Sequence, residues 1–387
     1  MRLRLAILLL SAAACDSKNP ESGAVTTDSA GIAIVTSPSE DRVLPWTFTE
    51  ERRVGGEDEG PASFTAAAPS TVRTNGRDRI GVFDRDRSLV EVFDAVGAPL
   101  ATMGGKGGGP GEVGMAFALV DVGADTIGVF DIAKEAVVRW APDGTILPER
   151  RVPSAVRSST GLALRGDTAI MALLDIDSVR TLHRVVIETP ADTTVVDSVV
   201  AGPPRLSTFH CFSANLPPMF SPRPVWALGD GTLALSRQST YEVRLFRNGR
   251  LASILRRPVQ PVPTTPEAAN RMHPDGWKVS FGGGGGCTFP GSEVAEKAGM
   301  ATHLPVLTDL AFGPRGTIWA ARHAFPGDSA VTDVFDRGGA YLGTVTGFGL
   351  PMGWLGPDRI LFPIEDAETG VTVIGIYRIT EAAPTKR

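Results

Sequence analysis

The chain has 387 residues, a formal net charge of −5 and a hydrophobic fraction of 42%. This composition supports a folded domain, and the absence of a concentrated basic stretch argues against a nucleic-acid-binding surface. The 44 glycines and 30 prolines exclude a mainly helical protein, because both residue types disrupt helices. Since they alternate with short runs of Val, Ile and Phe, they predict an all-β protein with many short strands.

Residues 1–14 (MRLRLAILLLSAAA) have the pattern of a secretory signal peptide. Two arginines precede an apolar run that is too short to cross a bilayer as a helix, and small residues follow. Ala12 and Ala14 permit cleavage just before Cys15. The segment resembles a bacterial lipoprotein signal, which implies that Cys15 is acylated and anchors the protein to a membrane. Ordinary secretion is the alternative, because Ala12 stands where such signals usually carry Leu.

The segment that follows is expected to be a flexible tether. Residues 15–30 contain one large apolar residue, Val25, which is too little to form a core. Export places the mature chain in an oxidising compartment, where Cys211 and Cys287 can pair as a disulfide. Two separate buried thiols are the alternative.

An internal repeat predicts the fold. The pentapeptide IGVFD occupies residues 80–84 and returns at residues 127–131, 47 residues later. A second apolar run begins ten residues after the start of each copy, at residues 90–94 and 137–141. Paired strands with a period of about 40–50 residues are typical of propeller blades. Looser copies of the pair begin near residues 170, 233, 318 and 360, which makes six blades.

A second repeat predicts how the ring closes. Residues 53–61 (RVGGEDEGP) match residues 102–110 (TMGGKGGGP), and the second copy follows the outer strand of a blade. Trp46–Val54 is therefore predicted to be the outer strand of the last blade, which removes an open sheet edge. Gly31–Thr36 is expected to add to the same blade or to lie beside it.

The longest interval between repeats, residues 261–303, predicts an insertion between blades 4 and 5. Residues 264–267 (TTPE) have the pattern of a capping box, and residues 292–300 (SEVAEKAGM) predict a second short helix. The five glycines at residues 282–286 are unsuited to a strand. A short helical and Gly-rich insertion thus fits better than a seventh blade. The propeller is predicted to span residues 31–380, with a tail at residues 381–387.

Three features resemble the NHL-like six-bladed β-propellers that are common among bacterial lipoproteins. They are the IGVFD hairpins, the linker GGKGGGPGE at residues 104–112 and the segment LPVLTDLAFGPRGTIWA at residues 304–320. The resemblance covers roughly residues 31–380. It implies the architecture and hardly any chemistry, because relatives with this ring include hydrolases, lyases and pure interaction modules.

The candidate functional residues come from topology. None of the five histidines forms a local metal-binding pair, and no nucleophile-elbow motif is present. Connections between successive blades emerge on one face of a propeller. The predicted binding face on that side comprises His210, His273, Asp275, Trp277 and His303. The alternative is that these are solvated loop residues without a function.

These observations favour an exported, lipid-anchored and monomeric binding or scaffold module. Its partner would be a protein, a peptide or a glycan, and no nucleic acid is expected. The alternative function is a metal-assisted hydrolase or lyase acting at the mouth of the central channel. That alternative requires a divalent cation, for which the sequence identifies no ligand set, and no other cofactor is identified.

Overall fold

The computed structural model describes residues 17–18 and 23–381, apart from residues 124, 153–160, 177–178, 230, 281–284 and 367–368. The predicted signal peptide, Cys15 and the tail beyond residue 381 lie outside this part. Six sheets are arranged around a common axis, and two short helices accompany them. The prediction of an all-β, six-bladed propeller is confirmed.

The strands follow the blade order closely. The N-terminal strands are β1 (Ser17–Lys18), β2 (Val25–Ser29), β3 (Ile32–Thr36) and β4 (Trp46–Val54). Blade 1 contains β5 (Val72–Thr74), β6 (Arg79–Asp84), β7 (Leu89–Asp94) and β8 (Pro99–Gly104). Blade 2 contains β9 (Ala116–Val120), β10 (Ile127–Asp131), β11 (Ala136–Trp140) and β12 (Ile146–Arg151). Blade 3 contains β13 (Leu162–Arg165), β14 (Thr168–Ile176), β15 (Thr181–Glu188) and β16 (Thr193–Val200).

The second half of the chain adds two decorated connections. A hairpin of β17 (Arg205–Thr208) and β18 (Ser213–Leu216) precedes blade 4. Blade 4 contains β19 (Val225–Gly229), β20 (Thr232–Ser236), β21 (Glu242–Arg247) and β22 (Arg250–Arg256). The insertion contains α1 (Pro266–Met272), β23 (Trp277–Ser280), β24 (Gly286–Phe289) and α2 (Gly291–Ala298). Blade 5 contains β25 (Leu307–Phe312), β26 (Ile318–Arg322), β27 (Val331–Phe335) and β28 (Tyr341–Thr346), and blade 6 contains β29 (Gly353–Leu355), β30 (Arg359–Glu365), β31 (Thr372–Glu381) and β4.

The apolar core of the ring is divided among the blade interfaces. Each of the six interfaces between neighbouring blades holds one cluster of buried apolar side chains among the described residues. Strand β7 contributes side chains to two of these interfaces. Val90 and Val92 pack toward blade 2, while Phe93 packs toward blade 6. The period of two along a strand therefore converts one sequence run into contacts with both neighbours.

The ring closes as predicted. Strand β4 pairs antiparallel with β31, from Val54 opposite Ile374 to Trp46 opposite Glu381. The turn after β4 depends on glycine, because Gly55 has a φ of +114° and an added Cβ would lie 2.5 Å from a ring carbon of Phe64. The N-terminal part of the chain thus supplies the fourth strand of blade 6 and covers the outer edge of β31.

Two expectations for the segment before β4 are wrong. Strand β3 pairs in parallel with β22 of blade 4, with Ile34 opposite Ile254, rather than joining or flanking the last blade. Strand β2 pairs antiparallel with β3, so Val25–Ser29 belongs to the fold and not to a flexible tether. Strand β3 pairs there for two reasons. The free edge of β22 offers hydrogen-bond partners to its backbone, and the apolar interface between blades 4 and 5 buries the side chain of Val35.

Residues 37–44 join these strands by crossing blade 5. The amide of Leu44 donates to the carbonyl of Thr344 at 2.9 Å, and the amide of Thr344 donates to the carbonyl of Arg42 at 2.7 Å. The buried guanidinium of Arg257 donates to the carbonyls of Pro38, Ser39 and Glu40. The N-terminal segment therefore acts as a belt that links blades 4, 5 and 6.

The belt is held by a buried ionic network centred on Asp333. Arg257 Nη1 lies 2.9 Å from Asp333 Oδ2, and both side chains are 0% exposed. The hydroxyls of Tyr241 and Thr344 donate to the same carboxylate at 2.5 and 2.6 Å. Burial and the adjacent Asp333 raise the pKa of Tyr241 well above its usual value, so the phenol remains a donor. Arg322 Nη2 also lies 2.8 Å from Asp333 Oδ1, so two guanidinium groups together neutralise this buried carboxylate.

Candidate functional site

We call residues 201–224 and 257–306 the lid. Each blade has four antiparallel strands, so every connection between blades leaves from the same face of the disc, and the lid lies on that face. Arg271 of α1 lies 2.9 Å from Asp328 of blade 5 and 4.0 Å from the centre of the Phe325 ring. The buried Gln238 accepts from the amide of Arg223 at 3.1 Å and donates to the carbonyl of Thr308 at 3.2 Å. These contacts anchor the lid over blades 4 and 5.

The lid has a core of its own. Phe209 packs 4.5 Å from Phe289 and stacks at 5.0 Å on Phe212, measured between ring centroids. Trp277 completes the aromatic cluster at 6.1 Å from Phe209. A disulfide joins Cys211 to Cys287 across this cluster, with Cα atoms 6.7 Å apart. The lid thus joins two segments that are separated by blade 4 in the sequence.

Local sequence signals explain the two helices. Thr265 caps α1 by accepting from the amide of Ala268 at 3.2 Å, as the capping pattern predicts. Helix α2 begins at Gly291, and its N-cap is Pro290, two residues before the predicted cap at Ser292. Gly291 permits the close approach of the helices, because an added Cβ would lie 2.1 Å from the carbonyl oxygen of Ala269.

Of the five predicted face residues, His210 and Trp277 lie at the aromatic cluster, and His273 lies at the end of α1. His210 is exposed at the tip of the β17–β18 turn, with its ring 5.0 Å from that of Phe289. Trp277 is half-buried in the cluster itself. His273 ends α1, and burial lowers the pKa of its imidazole. The structure therefore brings His210 and Trp277 together with the disulfide.

The other two predicted residues lie apart. Asp275 is exposed, and its carboxylate is 3.8 Å from Lys278 Nζ. His303 is exposed, with Nδ1 at 3.0 Å from Thr302 Oγ1, and its backbone bridges to Pro263. In the described part of the lid no ring contact joins His303 to the aromatic cluster. The five residues share a face without forming one compact site.

The central channel carries charged groups that the sequence did not reveal. Arg73 of β5 and Asp309 of β25 belong to blades 1 and 5, which are not neighbours, so their electrostatic interaction runs across the axis of the ring. Burial raises the pKa of Asp309, while the Leu310 amide and the charges of Arg223 and Arg73 oppose the rise. Asp309 nevertheless remains accessible to solvent. This combination is expected for a carboxyl group on the wall of a water-filled channel.

Arg223 stands at the lid side of this channel. Its guanidinium has no hydrogen bond or ion pair within the described part of the chain. The pKa of His183 is lowered mainly by burial and secondly by the charge of Arg223. Asp121 and Arg165 of neighbouring inner strands form an ion pair at 2.6 Å. The sequence did contain one indication of Arg73, because a charged residue lies between Val72 and Thr74 in β5. That indication can be interpreted only when β5 is already known to be an inner strand of a blade.

Potential metal ligands meet at one place. Among the described residues, only His210, Cys211 and Cys287 form a group of three such side chains, with the ligand atoms within 4.8 Å of one another. In this structure both sulfurs are engaged in the disulfide. The described helices are all too short or too polar to traverse a lipid bilayer.

Comparisons with known proteins identify structures rather than a family. No protein-family model matches the sequence, and no curated protein matches it. A member of the DUF4221 family from Bacteroides vulgatus is similar with a TM-score of 0.50 and 8% identity, over 88% of this chain and 100% of that one. A Bacteroides fragilis protein assigned as exported gives a TM-score of 0.48 and 12% identity, over 90% and 99% of the two chains.

An inactive virginiamycin B lyase from Staphylococcus aureus, solved with quinupristin, gives a TM-score of 0.38 and 12% identity. It covers 86% of this chain and 99% of the lyase. At these identities the likeness concerns the fold alone, and the function has to be argued from the residues of this chain.

Proposed function

We propose that this protein is an exported, lipid-anchored and monomeric binding module that captures a protein, peptide or glycan partner on the lid face. Export and anchoring are supported by the signal-like residues 1–14 and by the position of Cys15. A disulfide between Cys211 and Cys287 suits an oxidising compartment outside the cytoplasm.

The observation that carries the binding role is the construction of the lid. Phe212 and Trp277 are half-buried, so each ring is held by the cluster behind it while part of it remains accessible. Rigid aromatic rings lose little entropy on binding and bury a large apolar area against side chains or sugar rings. The disulfide and the helices fix this surface in place before a partner arrives, which is the arrangement expected of a preorganised binding face.

The channel mouth adds charge to the same face. Arg223 offers a guanidinium that forms no hydrogen bond or close ion pair in the described structure, although it attracts the carboxylate of Asp309, and it lies close to the base of the lid. Guanidinium groups recognise carboxylates and phosphates through paired hydrogen bonds. A partner that combines an apolar or sugar surface with an acidic group would therefore fit the lid face and the channel mouth together.

The alternative of a metal-assisted hydrolase has no comparable support. Within the described residues, the channel brings together Asp121 and Asp309 with three arginines, and no group of three potential ligands forms there. We therefore retain the binding module as the single proposal.

Partner capture by the intact, lipidated protein tests this proposal. Replacing His273, Asp275 and Trp277 by alanine should reduce recovery of the partner in pull-downs, with Trp277→Ala having the largest effect. Asp192→Ala is the matched control for Asp275→Ala, because Asp192 is also exposed but lies in the β15–β16 turn on the opposite face. Equal recovery with all four variants would exclude the lid face as the binding surface.

The anchor is tested separately. Cys15→Ser should move the protein from the membrane fraction to the soluble exported fraction, because the thiol that accepts the lipid is gone. An unmodified wild-type protein that already fractionates as soluble would show ordinary secretion instead, and would leave the lid proposal intact.

A further inference from the structure

The tip of the lid places three good ligands for a thiophilic metal side by side. His210 and Cys211 are the central residues of a turn closed by the hydrogen bond from the Phe209 amide to the Phe212 carbonyl at 2.8 Å. Cys287 comes from strand β24 of the facing hairpin. Their ligand atoms lie within 4.8 Å of one another. Tetrahedral zinc with bonds of about 2.0–2.3 Å holds such atoms roughly 3.5–4 Å apart, so small adjustments suffice.

The geometry of the tip does not depend on the disulfide alone. The β17–β18 hairpin is held against the insertion by the contact of Phe209 with Phe289 and by Lys297 Nζ, which donates to the carbonyl of Thr208 at 2.8 Å. The amide of Met219 also donates to the carbonyl of Gly299 at 2.8 Å. With the bridge reduced, these contacts keep both thiols and the imidazole close together.

We propose that the reduced lid tip binds one thiophilic metal ion, such as Zn²⁺, through His210, Cys211 and Cys287, so that a disulfide and a metal clasp are two alternative states of the same site. Two thiolates and one imidazole are a ligand set that suits zinc and related soft or borderline ions. Three protein ligands leave the fourth position of a tetrahedral ion open to water or to a group of the partner. The site is independent of partner capture by the aromatic rings.

The interconversion is a thiol–disulfide exchange with an external dithiol. The dithiol supplies two electrons and two protons, the bond between the two lid sulfurs breaks, two lid thiols form, and the dithiol becomes a cyclic disulfide. Zinc binding then releases the two thiol protons to solvent, because the ligands are thiolates. Cys211 lies at the exposed tip of its turn, which gives the reductant access.

The proposed ion site has an apolar wall on one side and is open to solvent on the other. The ring of Phe289 lies 5.0 Å from that of His210, and Phe212 and Trp277 complete an apolar wall behind the sulfurs. The exposed side of His210 remains open for entry of the ion. A partly dry setting strengthens the attraction between a cation and two thiolates.

Cobalt titration of the full mature chain with Cys15→Ser tests the proposal, because that variant retains only the two lid cysteines of the three in the chain. The protein is reduced with dithiothreitol, desalted without oxygen and titrated with Co²⁺. We expect one equivalent to bind with a thiolate-to-cobalt charge-transfer band, and Zn²⁺ to displace it. The oxidised protein should show no such band.

Matched histidine variants locate the site. In the reduced state, His210→Ala should weaken Co²⁺ binding by at least roughly 10–100-fold, because it removes a direct ligand and the loss of a supporting group alone costs about that much. His303→Ala, an exposed lid histidine outside the group, should bind as the parent does. Amide exchange of the reduced parent checks that the lid remains folded. A missing charge-transfer band, a lid that unfolds on reduction, or equal affinity of His210→Ala and the parent would each overturn the proposal.

Discussion

The ring and the lid of this protein are stabilised by different means. The ring distributes its apolar core over six equivalent interfaces and joins its ends through the pairing of β4 with β31. The lid has a single small aromatic cluster, one disulfide and two short helices. The contacts of the ring recur from blade to blade because the blades are built from a sequence repeat. The contacts of the lid join segments that do not belong to the repeat. Stability is therefore expected to be shared within the ring and local in the lid.

The largest expected effect concerns the belt that closes the ring. Arg257→Met should lower the free energy of unfolding by about 3–5 kcal/mol. It removes one of the two guanidinium groups that neutralise the buried carboxylate of Asp333, and it leaves the belt carbonyls without their donor. Chemical denaturation measures the change. Arg53→Met is the matched control, since Arg53 pairs with Glu50 on the exposed surface and its loss should leave the midpoint unchanged. If the two variants were equally stable, the belt would not contribute to the ring.

A smaller and local effect is expected from the lid disulfide. The double variant Cys211→Ser with Cys287→Ser should destabilise the lid by about 2–4 kcal/mol, because the bridge closes a long loop between cysteines that are 76 positions apart in the sequence. Amide exchange resolved by peptide should show lower protection in a lid that is still folded, and unchanged protection in the blades. Equal loss in both regions would show that the lid is not a separate unit.

The smallest effect concerns the channel. Because burial raises the pKa of Asp309 above its usual 3.8, the charged carboxyl destabilises the folded state at neutral pH. This contribution favours folding only below the unfolded pKa and is lost as pH rises through the folded pKa. Asp309→Asn should therefore raise the denaturation midpoint at neutral pH, and the gain should disappear as pH falls below 3.8. A constant gain at all pH values would mean that Asp309 is not a desolvated titrating group.

Much of the ring could be predicted from the sequence. The IGVFD copies identified β6 and β10, and the double-glycine match identified β4 as the closing strand. The repeated strands are the second of each blade. The short inner strands, such as β5 with three residues, gave too little periodic signal to recognise. The position of β3 also could not be predicted, because a free edge on blade 4 exists only in the folded state.

The lid was predicted only in outline. The capping box identified α1, and α2 was found although its predicted cap, Ser292, was wrong. The β17–β18 and β23–β24 hairpins were missed, and Gly286 lies in a strand although a glycine run was judged unsuited to one. These hairpins are positioned by the contact of Phe209 with Phe289 and by the disulfide, which join segments on either side of blade 4. The channel charges were missed for the same reason, since Arg73 and Asp309 meet only across the closed ring.

Site-specific photo-crosslinking in living cells is the most direct test of a binding function of the lid face. An aromatic photo-crosslinking residue is placed at Trp277 on the lid or at Ala191, which is exposed in a turn on the opposite face. If the lid face binds the partner, a covalent adduct is expected from position 277 and none from position 191. Adducts from position 191 alone, or equally from both positions, would contradict a binding function of the lid face.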